Sequence, residues 1–293
     1  MFPEGPNPYK LQTKPKGSSN LPLVLIHDGS GMTAGFWGLS SLGRDLWVIH
    51  NPHFWSEDPW EGGMDEMANH YLDLILAAGI SGKILLGGWS LGGYISIAIA
   101  RKLAEDKLAT IKVSGLMIID IPYHTPWYDN RPAIVSRPKL DESVPLRVQR
   151  LLDYCDVLLH EWPVPFWDGN FNDNMDVQFT ADGNQYQVEP GTVLYKSLEG
   201  DWKTKMLPKP ESSSNRSKPK NPRRPVLPPP GVLLRCINYT PTEQEGKKCH
   251  IDLFREEPVL GWEKGYPSFL KAVMEMKKDH YSLFDTTSPE QEN

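Results

Sequence analysis

The sequence has few cysteines and no CxxC pair. Its three cysteines, Cys155, Cys236 and Cys249, are widely spaced and odd in number. This pattern excludes a disulfide framework and a cysteine-rich zinc site, and it is typical of proteins from a reducing compartment. We therefore expect a cytoplasmic protein that needs no metal.

Long apolar runs and a basic excess are lacking too. The longest apolar stretches, LPLVLI and LDLILAAGI, are much shorter than a membrane span. The opening MFPEGPNPYK has none of the charged-then-apolar order of a signal peptide. A net charge of -6 and a pI near 5.8 argue against a polyanionic partner. We expect neither nucleic acid nor a membrane to be a partner.

Proline, by contrast, is abundant and unevenly placed. The chain has 27 prolines in 293 residues, about twice the average usage of ~5%. Eight of them fall within 203–230, together with eight Lys or Arg and a single Glu. A segment of this composition has too little apolar surface to offset the loss of chain entropy on folding. The sequence predicts a disordered basic loop here.

Elsewhere the composition is that of a globular protein, 39% hydrophobic and 23% charged. Apolar runs alternate with helical periodicity at the spacing of βαβ units, which predicts an α/β fold with a parallel sheet and helices on its faces. The predicted strands are 21–29, 45–52, 83–90, 112–122, 231–239 and 268–280, and the predicted helices are 64–79, 91–106 and 143–162.

These elements divide the chain into three parts. Residues 1–20 are expected to be a flexible lead-in with at most one edge strand. Residues 21–122 and 231–293 form the predicted α/β core. Residues 123–230 are predicted to be an insertion, which holds the amphipathic helix, a loop-like stretch over 163–202 and the basic loop.

The motif that indicates chemistry is G-x-S-x-G at residues 88–92, between a predicted strand and a predicted helix. A serine nucleophile on so sharp a turn needs glycine on both sides, because a side chain there would collide with the neighbouring backbone. The spacing therefore predicts that Ser90 is a nucleophile.

Such a serine needs a base and an acid, which follow it in the order Ser, acid, His. That order removes His27, His50, His53 and His70 as the base. Three others are excluded by their surroundings. His160 is expected on the surface of a helix and His250 in a solvated loop, and His124 follows Asp120 too closely along the chain to reach Ser90 independently. His280, just after the last predicted strand, is left as the predicted base.

Two aspartates compete for the acid. Asp120 ends the strand that follows the serine's strand, at the edge where ligands collect in parallel sheets. Asp252 follows a later strand at a greater distance. Asp120 is preferred because it ends its strand directly, and a merely structural Asp120 is the alternative.

An oxyanion hole needs two backbone N–H groups. Leu91, after the serine, is one predicted donor, and Gly29 in the loop HDGSG is the other. We interpret His27 as a structural residue that braces this loop.

Six segments together resemble the thioesterase domains of fungal polyketide and non-ribosomal peptide synthases. They are LVLIHDGSG with LGRDLWVIHNPHF, GGWSLGGYISIAIA, LMIIDIP, LGWEKG and DHYSLF. The resemblance covers nearly the whole chain except the lead-in and the basic loop. It implies an α/β-hydrolase fold, a mostly parallel sheet flanked by helices, with a helical lid insertion over residues 123–230.

The resemblance also implies a function. Ser90, His280 and Asp120 would release a polyketide or peptide-like acyl chain from a carrier protein's phosphopantetheine thioester, by hydrolysis or cyclisation, in secondary metabolism. No further cofactor is implied. The partner would be an acyl carrier protein or synthase acting in trans, because the chain begins with its own Met1, although an excised domain would also fit.

Two features of the insertion have two interpretations each. Trp127, Trp162, Phe166 and Trp167 either line an acyl pocket or only pack the lid. The basic loop either meets an acidic carrier protein or, as we prefer, is a plain disordered insertion.

Two other functions are compatible with these residues. One is a carboxylesterase or lipase that acts on free esters, since the triad does not distinguish oxygen from sulfur leaving groups. The other is a non-catalytic acyl-binding protein of the same fold.

Overall fold

The computed structural model describes residues 3–106, 108–127, 135–168, 177–207 and 226–284. The described strands are β1 (Tyr9–Gln12), β2 (Leu23–Ile26), β3 (Leu46–Ile49), β4 (Gly82–Trp89), β5 (Ile111–Ile119), β6 (Val135–Ser136), β7 (Val177–Ala181), β8 (Asn184–Val188), β9 (Thr192–Lys196), β10 (Lys203–Met206), β11 (Gly231–Cys236), β12 (Lys248–Cys249) and β13 (Leu270–Met276). The described α-helices are α1 (Gly63–Ala77), α2 (Leu91–Glu105) and α3 (Leu146–His160).

Nine of the described strands form one sheet, in the order β1-β3-β2-β4-β5-β11-β13-β9-β10. Every neighbouring pair from β3 to β9 is parallel, and the two edge strands, β1 and β10, are antiparallel. This sheet, flanked by helices, confirms the expected α/β-hydrolase fold. No helix in the described ranges is both long and apolar enough to cross a bilayer.

The core lies on both faces of the sheet. Along β2, Val24 and Ile26 pack in one apolar cluster with α1 and α2, whereas Leu23 and Leu25 pack in another on the opposite face. Successive side chains of a strand point to opposite faces, so a strand buried on both sides reads as an unbroken apolar run. That is why this strand was visible in the sequence.

The predicted core elements are confirmed. Strands β2, β3, β11 and β13 fall inside the predicted segments, and β4 and β5 each begin one residue before theirs. The three helices match their predicted segments to within a few residues at each end. Differences of this size are normal for helix ends.

The described part of residues 1–20 contains the one edge strand that the sequence allowed. β1 pairs with β3 as an edge strand. The Asn7 side chain donates to the carbonyl oxygen of His50 over 2.9 Å. The Trp55 indole N–H donates to the carbonyl oxygen of Pro3 over 2.8 Å. Backbone pairing and these two hydrogen bonds attach the segment to the rest of the chain.

The predicted insertion boundaries are wrong as well, because residues 123–230 contribute to the central sheet. β9 lies parallel to β13, and β10 pairs with β9. Residues 163–202 are therefore not all loop-like. β7 and β8 form a hairpin whose turn, Asp182-Gly183, has positive φ at both residues, as a two-residue hairpin turn requires.

The predicted disordered loop is corrected at both of its ends. Lys203–Met206 is strand β10. At the other end the carbonyl oxygen of Pro230 accepts a hydrogen bond from the Leu116 amide over 2.9 Å. Residues 208–225 of that predicted loop lie outside the described residues.

α3, which we call the lid helix, is attached to the loop after β3. Arg150 binds the Glu57 carboxylate through two hydrogen bonds of 2.6 Å. The Tyr154 hydroxyl accepts from the Trp60 amide over 2.8 Å. These contacts hold α3 above the loop that follows β2, where the candidate site lies.

Candidate active site

Ser90 occupies the sharp turn between β4 and α2. Its φ of 54° and ψ of -124° are rarely adopted by residues other than glycine and indicate strain at a functional turn. A Cβ at Gly88 would overlap the backbone of Gly92, and a Cβ at Gly92 would overlap the carbonyl oxygens of Ile26 and His27. The two glycines therefore allow the close packing that holds this serine at the end of β4.

Asp120 and His280 form a buried pair. Asp120 directly follows β5, and His280 lies in the turn after β13. His280 Nδ1 is 2.9 Å from Asp120 Oδ2, and the two side chains are 1% and 0% exposed. Ser90 and His280 line the same cavity. All three residues thus lie at the carboxyl edge of the parallel strands, where such sheets bind ligands.

The carboxylate of Asp120 is held by several donors. Its Oδ1 accepts from the Cys236 amide over 2.8 Å and from Arg255 Nη1 over 2.5 Å. Burial on its own would raise the pKa of Asp120, but hydrogen bonds from His280 and Arg255 outweigh it and lower the pKa to about 2. An ionised Asp120 accepts a hydrogen bond from a protonated Nδ1 of His280. Nε2 of His280 is then unprotonated and able to take a proton.

Asp252, the competing acid, is buried elsewhere in the same loop region. Its Oδ2 accepts from the Thr240 amide over 2.7 Å, and its Oδ1 accepts from Arg255 Nε over 2.8 Å. The hydrogen bonds of Asp252 within the described ranges thus go to Thr240 and Arg255. Of the two aspartates, Asp120 is the one at hydrogen-bonding distance from His280.

The two predicted oxyanion donors lie next to Ser90 in the chain and on the wall of its cavity. Leu91 is the first residue of α2, so its N–H has no carbonyl one turn earlier in the helix. Gly29 lines the cavity together with Ser90. A Cβ at Gly29 would lie 2.5 Å from Cys155 Sγ. Glycine is needed there because the lid helix passes directly over the loop.

His27 braces the loop that carries Gly29. Its Nδ1 is hydrogen-bonded to the carbonyl oxygen of Asp28, and its Nε2 lies 2.5 Å from the Tyr71 hydroxyl. Burial lowers the pKa of His27 to about 4, so the ring is neutral near pH 7. These contacts agree with the structural role expected from the sequence.

Asp28 is a buried residue of the site that the sequence does not mark. It is 6% exposed, and its Oδ1 accepts hydrogen bonds from the amide and the hydroxyl of Ser30. Burial raises the pKa of Asp28 to about 6, and attraction to His280 opposes that rise. The pattern HDGSG indicates a turn, but it contains no signal that the carboxyl group is buried beside the candidate base.

The cavity at Ser90 has a volume of about 330 Å³ and a mixed lining. Leu152, Cys155 and Leu159 come from the lid helix. Further charged or titratable side chains on its wall are Tyr94, Arg137, Asp141, Glu142, Asp153, Asp156, Glu243, Cys249, His250 and Tyr281. The described part of the chain contains no group of three or more His, Cys, Asp or Glu placed to hold a metal ion.

The four aromatic residues predicted for an acyl pocket are not on this wall. Trp127 and Trp162 line a separate depression of about 840 Å³ between α1 and α3. Trp167 is buried and lies edge-on to Tyr266. Phe166 is 55% exposed. The interpretation as lid packing fits their positions better, because none of the four lines the cavity at Ser90.

One excluded histidine is placed differently from expectation. His250 is half-buried and lines the Ser90 cavity, so the expected solvated loop is wrong. Its ring packs edge-on against Trp127 at 4.1 Å between centroids. His124 is buried, and its Nε2 lies 2.8 Å from the carbonyl oxygen of Leu159.

Comparison with known proteins identifies a family. A model of the thioesterase domain matches residues 21–156. The chain is 38% identical over 283 residues to the probable thioesterase KK1J of Curvularia clavata, and the alignment covers 96% of this chain and 90% of that protein. It is also 40% identical over 120 residues to the nonribosomal peptide synthetase imqB of Aspergillus flavus, and this alignment covers 41% of this chain and 3% of that protein.

Solved structures agree on the fold. The NocB thioesterase domain from the nocardicin cluster superposes with a TM-score of 0.51 at 17% identity, which covers 90% of this chain and 86% of that domain. At this level of identity the likeness concerns the fold.

Proposed function

The chain belongs to the thioesterase family of hydrolases that act on thioesters and release chains from synthases, and on that basis we propose that it releases an acyl chain from a carrier-protein phosphopantetheine through an acyl-enzyme on Ser90. The observation that carries the proposal is the Asp120–His280 pair beside the strained turn of Ser90. The substrate is the acyl chain bound as a thioester, and the protein partner is an acyl carrier protein or synthase.

Acylation begins with attack of Ser90 Oγ on the thioester carbonyl carbon. His280 Nε2 takes the serine proton, and Asp120 holds the ring through Nδ1 and stabilises the imidazolium. Collapse of the tetrahedral intermediate breaks the carbon–sulfur bond. The proton held by His280 goes to the leaving phosphopantetheine sulfur, so the ring is neutral again.

Charge on the carbonyl oxygen is stabilised by the amides of Leu91 and Gly29. Both belong to rigid surroundings, the first turn of α2 and a loop pressed under the lid helix. Donors held in place before the reaction need no reorganisation as the charge develops. The N-terminal end of α2 adds a favourable dipole at the same position.

Deacylation repeats the same proton transfers with a second nucleophile. His280 removes a proton from water, or from a hydroxyl or amine of the bound chain, and that oxygen or nitrogen attacks the Ser90 ester. Water gives the free acid, whereas an internal nucleophile gives a cyclic product. The polar side chains of the cavity wall, Asp156 and Glu243 among them, suit an acyl chain that carries polar groups.

A comparison of two substrates tests this proposal. An acyl-N-acetylcysteamine thioester and its matching oxygen ester are assayed with wild-type protein and with Ser90→Ala. We expect higher kcat/KM for the thioester and loss of turnover in a folded Ser90→Ala variant. A clear preference for the oxygen ester would point to a carboxylesterase. If a fluorophosphonate left Ser90 unmodified, a non-catalytic binding protein would be the better account.

A further inference from the structure

Arg255 lies buried between two carboxylates, those of Asp120 and Asp252. The exposed fractions of the three residues are 2%, 0% and 0%. Arg255 Nη1 and Nη2 donate to the two oxygens of Asp120 over 2.5 and 3.0 Å. Nε and Nη2 donate to Asp252 Oδ1 over 2.8 and 2.6 Å. Nη1 also donates to the carbonyl oxygen of Cys236 over 2.7 Å. These five bonds match the five N–H donors of a guanidinium group.

This arrangement fixes the plane of the Asp120 carboxylate. A guanidinium fork bound to both oxygens leaves the carboxylate little rotational freedom. The Cys236 amide adds a further donor to Oδ1. As a result, Oδ2 is directed at His280 Nδ1. A lysine could supply the charge of Arg255 but not this two-point geometry.

The charges of the group are also matched to the chemistry. An ion pair of Arg255 with Asp120 alone would be neutral and would present no net charge to the imidazole. With Asp252 on the other side of the guanidinium, two carboxylates face one cation, which leaves one net negative charge in a dry environment. Protonation of His280 then makes the whole buried group neutral. Removing either carboxylate would leave the imidazolium with less compensation.

We propose that Asp252 and Arg255 are positioning residues of the active site, which orient Asp120 and preserve one net negative charge beside His280. This inference depends on the proposed function for the roles of Asp120 and His280. Asp252 is therefore not a rival to Asp120 but its electrostatic support.

Other titratable groups surround His280 and set the background for a test. They are Asp28 after β2, Cys155 and Asp156 on α3, Cys236 at the end of β11, Cys249 on β12, His250 after it, and Asp279 and Tyr281 in the turn of His280 itself. Burial raises the pKa of Asp28 to about 6, close to where an imidazole titrates. The titration is therefore repeated in an Asp28→Asn background.

The test is an NMR titration of the His280 imidazole in wild-type protein and in Asp252→Asn. A charge two hydrogen-bonded groups away, at an effective dielectric constant of about 20, changes a protonation equilibrium roughly tenfold. We expect the midpoint for His280 to fall by about one pH unit in Asp252→Asn. Glu257→Gln is the matched control, because Glu257 pairs with Lys264 on the surface of the same loop region. It should leave the midpoint unchanged.

An unchanged midpoint in folded Asp252→Asn would overturn the electrostatic half of the proposal. The NMR readout needs no turnover, so this failure is separate from a failure of the proposed function, which the thioester assay reports. Arg255→Lys tests the orienting half and does not depend on the folding of Asp252→Asn. We expect kcat to fall at least tenfold with KM little changed and the midpoint retained, whereas wild-type kcat in folded Arg255→Lys would refute that half.

Discussion

Replacing Asp28 by Asn should stabilise the protein at neutral pH. Asp28 is almost fully buried, and burial raises its pKa from 3.8 to about 6. A carboxyl group whose pKa is higher in the folded protein favours folding below its unfolded pKa, and that advantage is lost as the pH rises through the folded value. At about pH 7.5 wild-type protein therefore carries the cost of a buried charge. The asparagine does not, while its amide oxygen can still accept from Ser30.

The size of the effect follows from the shift. A difference of about 2 pKa units at 1.36 kcal/mol each corresponds to about 3 kcal/mol at pH 7.5. At pH 4.5 the same relation leaves only about 1 kcal/mol, because the carboxyl group is then mostly protonated in the folded protein.

Denaturant unfolding of wild type and Asp28→Asn at both pH values measures this difference. Asp73→Asn, an exposed change on α1, is the matched control and should give nearly the same unfolding free energy as wild type at both. The reasoning would be refuted if Asp28→Asn were equally or less stable than wild type at pH 7.5, or if its advantage did not depend on pH.

Two further predictions concern the site. Gly92→Ala should prevent correct folding, because its Cβ would overlap the carbonyl oxygens of Ile26 and His27 at the end of β2. Gly115→Ala is the control and should remain folded, because the nearest neighbour of its Cβ is the Leu85 side chain at 3.1 Å. Circular dichroism and soluble yield compare the two variants. Asp120→Asn should lower kcat by about 10⁴-fold, as in other triads, with the fold retained, and a loss of less than tenfold in steady-state assays would remove Asp120 from its proposed role.

The core and the sharp turn that carries Ser90 could be predicted from the sequence because local rules determine them. Strand β2 is a continuous apolar run, and Ser90 lies in a strand–turn–helix pattern that few other functions require. Chain order excludes four of the eight histidines, and its place just after the last predicted strand favours His280 among the others. These signals are all contained in short segments of the chain.

What could not be predicted depends on contacts between distant segments. β9 joins the sheet beside β13, although the two are far apart along the chain. The hairpin of β7 and β8, by contrast, has a local signal, the Asp182-Gly183 turn between alternating residues. The positions of Trp127 and Trp162 depend on how α3 sits over the sheet, which aromatic composition does not reveal.

The same holds for the charges around the site. Asp252 and Arg255 are three residues apart in a charged loop, a spacing that is common on protein surfaces. Their burial against Asp120 arises from the packing of that loop under the ends of β5 and β11. No motif in the sequence marks such a compensated buried charge.

The central claim is that Ser90 accepts the acyl chain from a thioester. Rapid quenching after wild-type protein is mixed with an acyl-phosphopantetheinyl carrier protein, followed by peptide mass spectrometry, tests it most directly. We expect the acyl mass on the peptide that contains Ser90, formed at a rate at least equal to turnover and missing in Ser90→Ala. Turnover without any acylation of Ser90, or with the acyl group on another residue, would contradict it.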